Sequence, residues 1–136
     1  MVAMEKRRKA AQLLLDFYKG RITNNEFEEN WPIEKHDPVL SELLPPVWML
    51  YSDYREHRID PALRKDYRLA KEFHRYLKFL SSTLEYEWIG VPGTWVSKVA
   101  EVFDTRRRQT NSSGDIEVWP FYRKEDYRHA WKQSQS

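Results

Sequence analysis

The chain has 136 residues, a length that suits one domain with its own hydrophobic core. Cysteine is absent, which excludes disulfides, thiolate catalysis and cysteine-based zinc sites and favours a reducing, cytoplasmic location. The 23 basic and 21 acidic residues leave a net charge of only +2, so the overall field gives little attraction to nucleic acid or membranes. No apolar run approaches the ~18 residues of a membrane helix, and we expect a soluble protein.

The first predicted helix runs from Glu5 to Lys19. Its apolar residues recur at three- and four-residue spacing, and Gly20 stands where a left-handed helix cap belongs. The next segment, Thr23-Asn24-Asn25-Glu26, matches a capping box, in which a hydroxyl and a carboxylate satisfy each other's backbone amides. We therefore expect a short second helix that reaches about Trp31 and is stopped by Pro32.

Two Asp-Pro pairs predict further helix starts, because Asp is a good cap and Pro fits the first helical position. Asp37-Pro38 predicts a short helix over Val39 to Leu44. Pro45-Pro46 then breaks the chain, and another helix begins near Pro46. Asp60-Pro61 predicts the longest helix, which carries an apolar stripe and reaches roughly Leu84.

The last third of the chain is less regular. Tyr86 to Trp95 contains Gly and Pro and is interpreted as a packed connector or a short strand. Thr94 is expected to cap a helix that ends by the loop-like segment 111–114, and Asp115 to Tyr122 alternates like a short edge strand. Tyr127 to Lys132 is expected to form a last helical turn. The prediction is a mainly α single domain, residues 1–136, with about five helices and a small two-stranded β element.

The candidate binding site is an acidic stretch near the second helix. Between Glu26 and Glu42 it contains six carboxylates, whose negative charge is offset by a single lysine, Lys35. Charge of this kind raises association rates with a basic partner, and aromatic side chains supply binding hot spots. The alternative is a solvated helix face whose aromatic residues point into the core. The predicted partner-binding residues are Glu26, Phe27, Glu28, Glu29, Trp31, Glu34 and Asp37.

Nucleic-acid binding is an alternative function. Arg106, Arg107 and Arg108 precede a flexible segment, and the long helix has a basic face that includes Lys71 and Lys78. Such residues contact phosphates electrostatically. Basic helix ends are also common because cations favour the helix dipole there, and no recognition-helix motif is present.

A metal-dependent hydrolase is the third reading. Asp53 and His57 lie four residues apart on a predicted helix and could face one metal. The helices contain no Glu-x-x-His or His-x-x-x-His pair, and the four glycines provide no phosphate-binding loop. The sequence therefore assigns no catalytic residue, metal ligand or cofactor.

Three segments carry a resemblance: Ile22 to Glu28 with Asn30-Trp31-Pro32, Trp48 to Asp53, and Val118 to Phe121. They resemble segments of small uncharacterised bacterial proteins. The resemblance implies a bacterial cytosolic single-domain protein, and it implies no activity or site residues.

Together these features predict a non-enzymatic module that binds another protein, more specifically a toxin-neutralising immunity-type protein with an acidic face for a basic toxin. The sequence leaves the oligomeric state open, although tryptophans exposed near Trp88, Trp95 or Trp119 would favour a homodimer.

Overall fold

The computed structural model describes residues 2–48, 55–88 and 115–135, and within these ranges the chain forms helices and no strand. The prediction of a mainly α fold is confirmed. The helices in chain order are α1 (Met4–Tyr18), α2 (Asn24–Asn30), α3 (Val39–Glu42), α4 (Leu44–Trp48), α5 (Pro61–Arg64), α6 (Tyr67–Leu80) and α7 (Lys124–Gln135).

The core lies between α1 and α6, which pack against each other, while α7 packs against α6 as well. The buried apolar residues of α1, namely Ala10, Leu14 and Phe17, recur every three or four positions and so share one helix face. The buried residues of α6 likewise recur along one face: Leu69, Phe73, Tyr76, Phe79 and Leu80.

Aromatic rings fill much of this core. Phe27 lies between Phe17 and Trp31, with ring centroids 5.1 and 5.0 Å away. At the other end, Phe79 meets Phe121 edge to face at 5.3 Å. Pairs at such distances add about 0.5–1.5 kcal/mol each beyond the area they bury, so the aromatic-rich composition is used in the interior.

Two local predictions near α2 are confirmed. Gly20 has φ +75°, the left-handed conformation expected of a residue that ends a helix. Thr23 and Glu26 form the capping box: the Thr23 hydroxyl accepts from the Glu26 amide, and the Glu26 carboxylate accepts from the Thr23 amide. These devices fix the turn that brings α2 back against α1.

The longest predicted helix is interrupted. Asp60 caps only the single turn of α5, and a second cap, Asp66, begins α6 by accepting from the amides of Arg68 and Leu69. The helix ends at Leu80 rather than Leu84, and Ser81 is its C-cap residue. The prediction of one helix from Pro61 onward was wrong because the apolar spacing continues across the break.

Three other boundaries also differ. Pro45 and Pro46 lie inside the first turn of α4, where a missing N–H is harmless, so they do not delay the helix. The predicted edge strand is a 3-10 turn, Ile116–Val118, capped by the Asp115 carboxylate. The last helix, α7, is longer than the single turn expected.

The helix predicted to begin near Pro46 was expected to continue through a polar tail, Ser52 to Arg58, but residues 55–58 are not helical. Residues 52–54 of that tail, the helix expected after Thr94 and the loop 111–114 lie outside the described residues. The connector predicted from Tyr86 is described only as far as Trp88, where it has no regular secondary structure.

A buried ion pair joins three parts of the fold. The Arg7 Nε and Nη2 atoms each donate to an Asp37 oxygen at 2.7 Å, and both side chains are fully buried. Asp37 also accepts from the Ala3 amide at 3.0 Å, so its carboxylate is not the helix cap that the Asp-Pro pattern predicted. The Arg7 Nη1 atom donates to the Phe79 and Ser82 carbonyls, at the end of α6.

The hydrogen bonds decide the charge state of Asp37. Burial alone raises the pKa of this carboxyl, but the hydrogen bonds from Arg7 and Ala3 outweigh burial and leave the pKa below its ordinary value. The pair therefore contributes stability above the ordinary pKa of an aspartate, and this contribution is lost as the pH falls through the lowered value.

We predict that Asp37→Asn and Arg7→Met each lower the free energy of unfolding by about 3–5 kcal/mol, because each leaves one buried group without its charged partner. Urea unfolding followed by circular dichroism measures the change. Arg123→Ala, which breaks the exposed ion pair with Glu87, is the control and should have a much smaller effect. Equal effects of the buried and exposed variants would contradict the importance of the buried pair.

Candidate functional site

An apolar groove lies between α6 and α7, and we call it the aromatic groove. Its volume is about 530 Å³. Its lining residues are Tyr67, Ala70, Lys71 and His74 of α6 with Tyr127 and Trp131 of α7. Four of the six carry aromatic rings, so the surface offered to a ligand is mainly flat and apolar.

The groove follows from the two faces of α6. One face is buried against α1, whereas residues 67, 70, 71 and 74 follow the i, i+3, i+4, i+7 spacing of a second face. On α7, Tyr127 and Trp131 lie four residues apart and so point the same way. The beginning of α7 is held in place by Phe121, whose buried ring lies 5.2 Å from that of Tyr127.

A surface ion pair also orients the start of α7. The Arg123 guanidinium donates two hydrogen bonds to the Glu87 carboxylate, at 2.6 and 3.1 Å. The pKa of Arg123 is raised because the hydrogen bond and charge of Glu87 stabilise its charged form. The ion pair thus joins the residue just before α7 to the segment that follows α6.

Tyr67 and Trp131 are unusually exposed for residues of their size, at 71% and 43%. The Lys71 ammonium lies 4.6 Å from the centre of the Tyr67 ring, within the range of a cation–π interaction. Large aromatic side chains in contact with solvent are a common feature of binding surfaces.

His74 lies between the two helices. Its ring contacts Trp131 edge to face at 4.3 Å, and its Nδ1 atom is buried without a hydrogen-bond partner. Burial lowers the pKa of His74, and the charges of Lys78 and Arg75 lower it further. The shift favours the neutral imidazole, and no Asp, Glu, Ser or Thr is found among the described residues that line the groove beside it.

The structure places three residues of the predicted acidic surface in the interior. Phe27 is fully buried and Trp31 is nearly so, and the Trp31 indole donates to the Leu40 carbonyl at 2.6 Å. Asp37 is held by Arg7. The expectation that these three side chains face a partner is corrected, because α2 turns its aromatic residues toward α1.

The remaining acidic residues do not form one uniform surface. Glu34 pairs with Lys6 at 3.0 Å, and its pKa is lowered mainly by that hydrogen bond. Glu26 belongs to the capping box, and Glu28 is partly buried. Glu26 and Glu29 remain the exposed carboxylates among the residues predicted for this site.

The expectation of a tryptophan-based dimer is also corrected for two residues. Trp119 and Trp88 are buried, and their indoles donate to the Tyr86 hydroxyl and the Phe121 carbonyl at 2.9 and 3.2 Å. Trp95 lies outside the described residues. Within the described ranges, the exposed tryptophans are Trp48 and Trp131.

The other predicted sites are only partly described. Arg106, Arg107, Arg108 and Asp53 lie outside the described residues. His57 is described, and its Nδ1 atom lies 2.8 Å from the Arg58 carbonyl oxygen. Over residues 2–48, 55–88 and 115–135, no three His, Asp or Glu side chains come together as metal ligands would, and no helix is long and apolar enough to cross a membrane.

Comparison with protein families, with curated proteins and with solved structures finds no match. The site therefore rests on its own geometry. Sequence reasoning missed the aromatic groove, although the spacing of Tyr127 and Trp131 on α7 was a signal that could have indicated a shared face.

Glu42 is the carboxylate of the acidic stretch that differs most from the others. Its Oε2 atom is buried without a hydrogen-bond partner, and burial raises its pKa. Burial also raises the pKa of Tyr86, and the charge of Glu42 raises it too, whereas the hydrogen bond from the Trp119 indole lowers it. A buried, unpaired charge destabilises the folded state.

We predict that Glu42→Gln raises the free energy of unfolding at pH 7 by about 1 kcal/mol, because it removes this charge. The pKa of Glu42 is raised in the folded state. The contribution of Glu42 to the stability of the wild-type protein is therefore complete below the ordinary pKa of 4.5 and is lost as the pH rises through the raised pKa. The two proteins should therefore differ little at pH 4 and more at pH 7. Urea unfolding at both pH values measures this, with Glu29→Gln as an exposed control; a constant difference would contradict the prediction.

Proposed function

We propose that the protein is a non-enzymatic module that binds another protein through the aromatic groove. The single observation that carries the proposal is the exposure of Tyr67 and Trp131 beside an apolar groove between two packed helices. Tyr and Trp are the residues most often found as hot spots in protein interfaces.

The chemistry of the groove favours binding over catalysis. Among the described residues that line the groove, His74 is the one imidazole, and none of them is the Asp, Glu, Ser or Thr that usually acts beside a catalytic histidine. The aromatic neighbours of His74 and its lowered pKa suit an imidazole that packs between the helices in its neutral form. A metal-dependent hydrolase is less well supported, because His57 lies in an irregular segment rather than on a helix and its Nδ1 atom lies 2.8 Å from the Arg58 carbonyl oxygen.

A narrower version of the proposal is an immunity-type protein of a bacterial cytoplasm that neutralises a basic toxin through the acidic stretch. Its support is now limited to exposed carboxylates such as Glu26 and Glu29, since Phe27, Trp31 and Asp37 are interior. The aromatic groove is the better supported contact surface for a partner protein.

Nucleic-acid binding is the second candidate, and one observation favours it. Tyr67 and Lys71 are both exposed and lie side by side, so a base could stack on the ring while the ammonium contacts a phosphate. Steep loss of affinity with salt would accompany this mode.

We predict that affinity capture from the source cells recovers a protein partner even after nuclease treatment, and that Trp131→Ala abolishes this recovery. Trp48→Ala is the matched control, because Trp48 is the same residue type with almost the same exposure, 44%. Mass spectrometry of the bound fractions measures the difference.

Loss of the partner from both variants, or from Trp48→Ala alone, would contradict a role for the aromatic groove. Recovery of nucleic acid that disappears on nuclease treatment would favour the second candidate instead.

A further inference from the structure

We infer that the partner element recognised by the aromatic groove is an amphipathic helix whose apolar stripe is flanked by carboxylates. The inference rests on the proposed function and specifies the class of its partner.

The shape of the groove suits a helix. The lining residues of α6, from Tyr67 to His74, span two helical turns, about 10 Å at 1.5 Å per residue. Ala70 contributes only a methyl group there, which permits close approach of a partner backbone. Peptide helices bind such grooves through apolar residues at i, i+3 or i+4 and i+7, the spacing that this length accommodates.

The charges around the groove are predominantly positive. Lys71 is the one charged residue in the described part of its lining. Lys78 follows His74 by one helical turn on α6, and Arg75, beside His74 in sequence, donates from Nε to the Trp119 carbonyl at 3.2 Å. On α7, Arg128 and Lys132 are exposed on either side of Trp131 in sequence. Carboxylates that flank an apolar stripe would complement this arrangement.

The neighbouring acidic residues are largely engaged. Asp66 accepts from backbone amides at the start of α6, and Glu72 accepts from the Tyr76 hydroxyl at 3.3 Å. Asp126 lies 3.6 Å from Arg123, and Glu125 is in the first turn of α7, away from the end that carries Trp131. A cationic ligand is disfavoured because Lys71 already lies over the Tyr67 ring.

Two fluorescein-labelled synthetic helical peptides test the inference. Both carry the same Leu and Phe stripe, but one has Glu and the other Lys at the flanking positions. Fluorescence anisotropy should show the Glu peptide binding at least about tenfold more tightly, a difference of about 1.4 kcal/mol. Lys71→Glu should reduce that preference, Trp131→Ala should weaken binding of the Glu peptide about tenfold, and Trp48→Ala should leave binding unchanged.

Equal or tighter binding of the Lys peptide would overturn the inference. So would tighter binding of a single-stranded oligothymidine with a steep salt dependence, which would point to nucleic acid. If cellular capture yields a protein that is lost with Trp131→Ala while the two peptides bind equally, the proposed function stands and the acidic-helix inference fails.

Discussion

The buried ion pair between Arg7 and Asp37 is the interaction on which the arrangement of the helices depends. Removing two charges from water costs several kcal/mol per ion unless hydrogen bonds replace the lost hydration. The structure supplies those bonds from three places: the start of α1, the segment before α3 and the end of α6. Because no one of these segments satisfies the pair alone, the pair is favourable only when they dock together. It thereby fixes the ends of α1 and α6 between which the apolar and aromatic core packs.

This docking leaves α6 with two different faces. One packs on α1, where the Phe73 ring lies 4.7 Å from that of Tyr18. The other meets α7 only in part, so Tyr67 and Trp131 remain exposed beside the aromatic groove. The core contacts and the proposed binding surface thus lie on different sides of the same helix. A side chain on the groove face can be changed with less disturbance of the core than one on the α1 face, which is why the groove variants are informative about function.

Much of the helical framework could be predicted from local sequence. The capping box at Thr23 and Glu26 and the cap at Gly20 involve neighbouring residues, so the sequence contains everything that forms them. The break before α6 could not be seen in the apolar spacing, which runs through it. Asp37 was assigned to a helix cap because the Asp-Pro pair is local, whereas its partner Arg7 is 30 residues away. The groove likewise depends on the pairing of α6 with α7, and the direction in which the short α2 faces is set by α1.

The most direct test of this account is an NMR titration of the ¹⁵N-labelled protein with the partner recovered by cellular capture. The indole N–H signals of the tryptophans and the backbone amides report which surface is covered. If the partner binds the aromatic groove, we expect shifts at the Trp131 indole and at the amides of residues 67–74, with the buried Trp31 and Trp119 indoles little changed. Shifts centred on α2, with Trp131 unaffected, would contradict the claim that the aromatic groove is the binding surface.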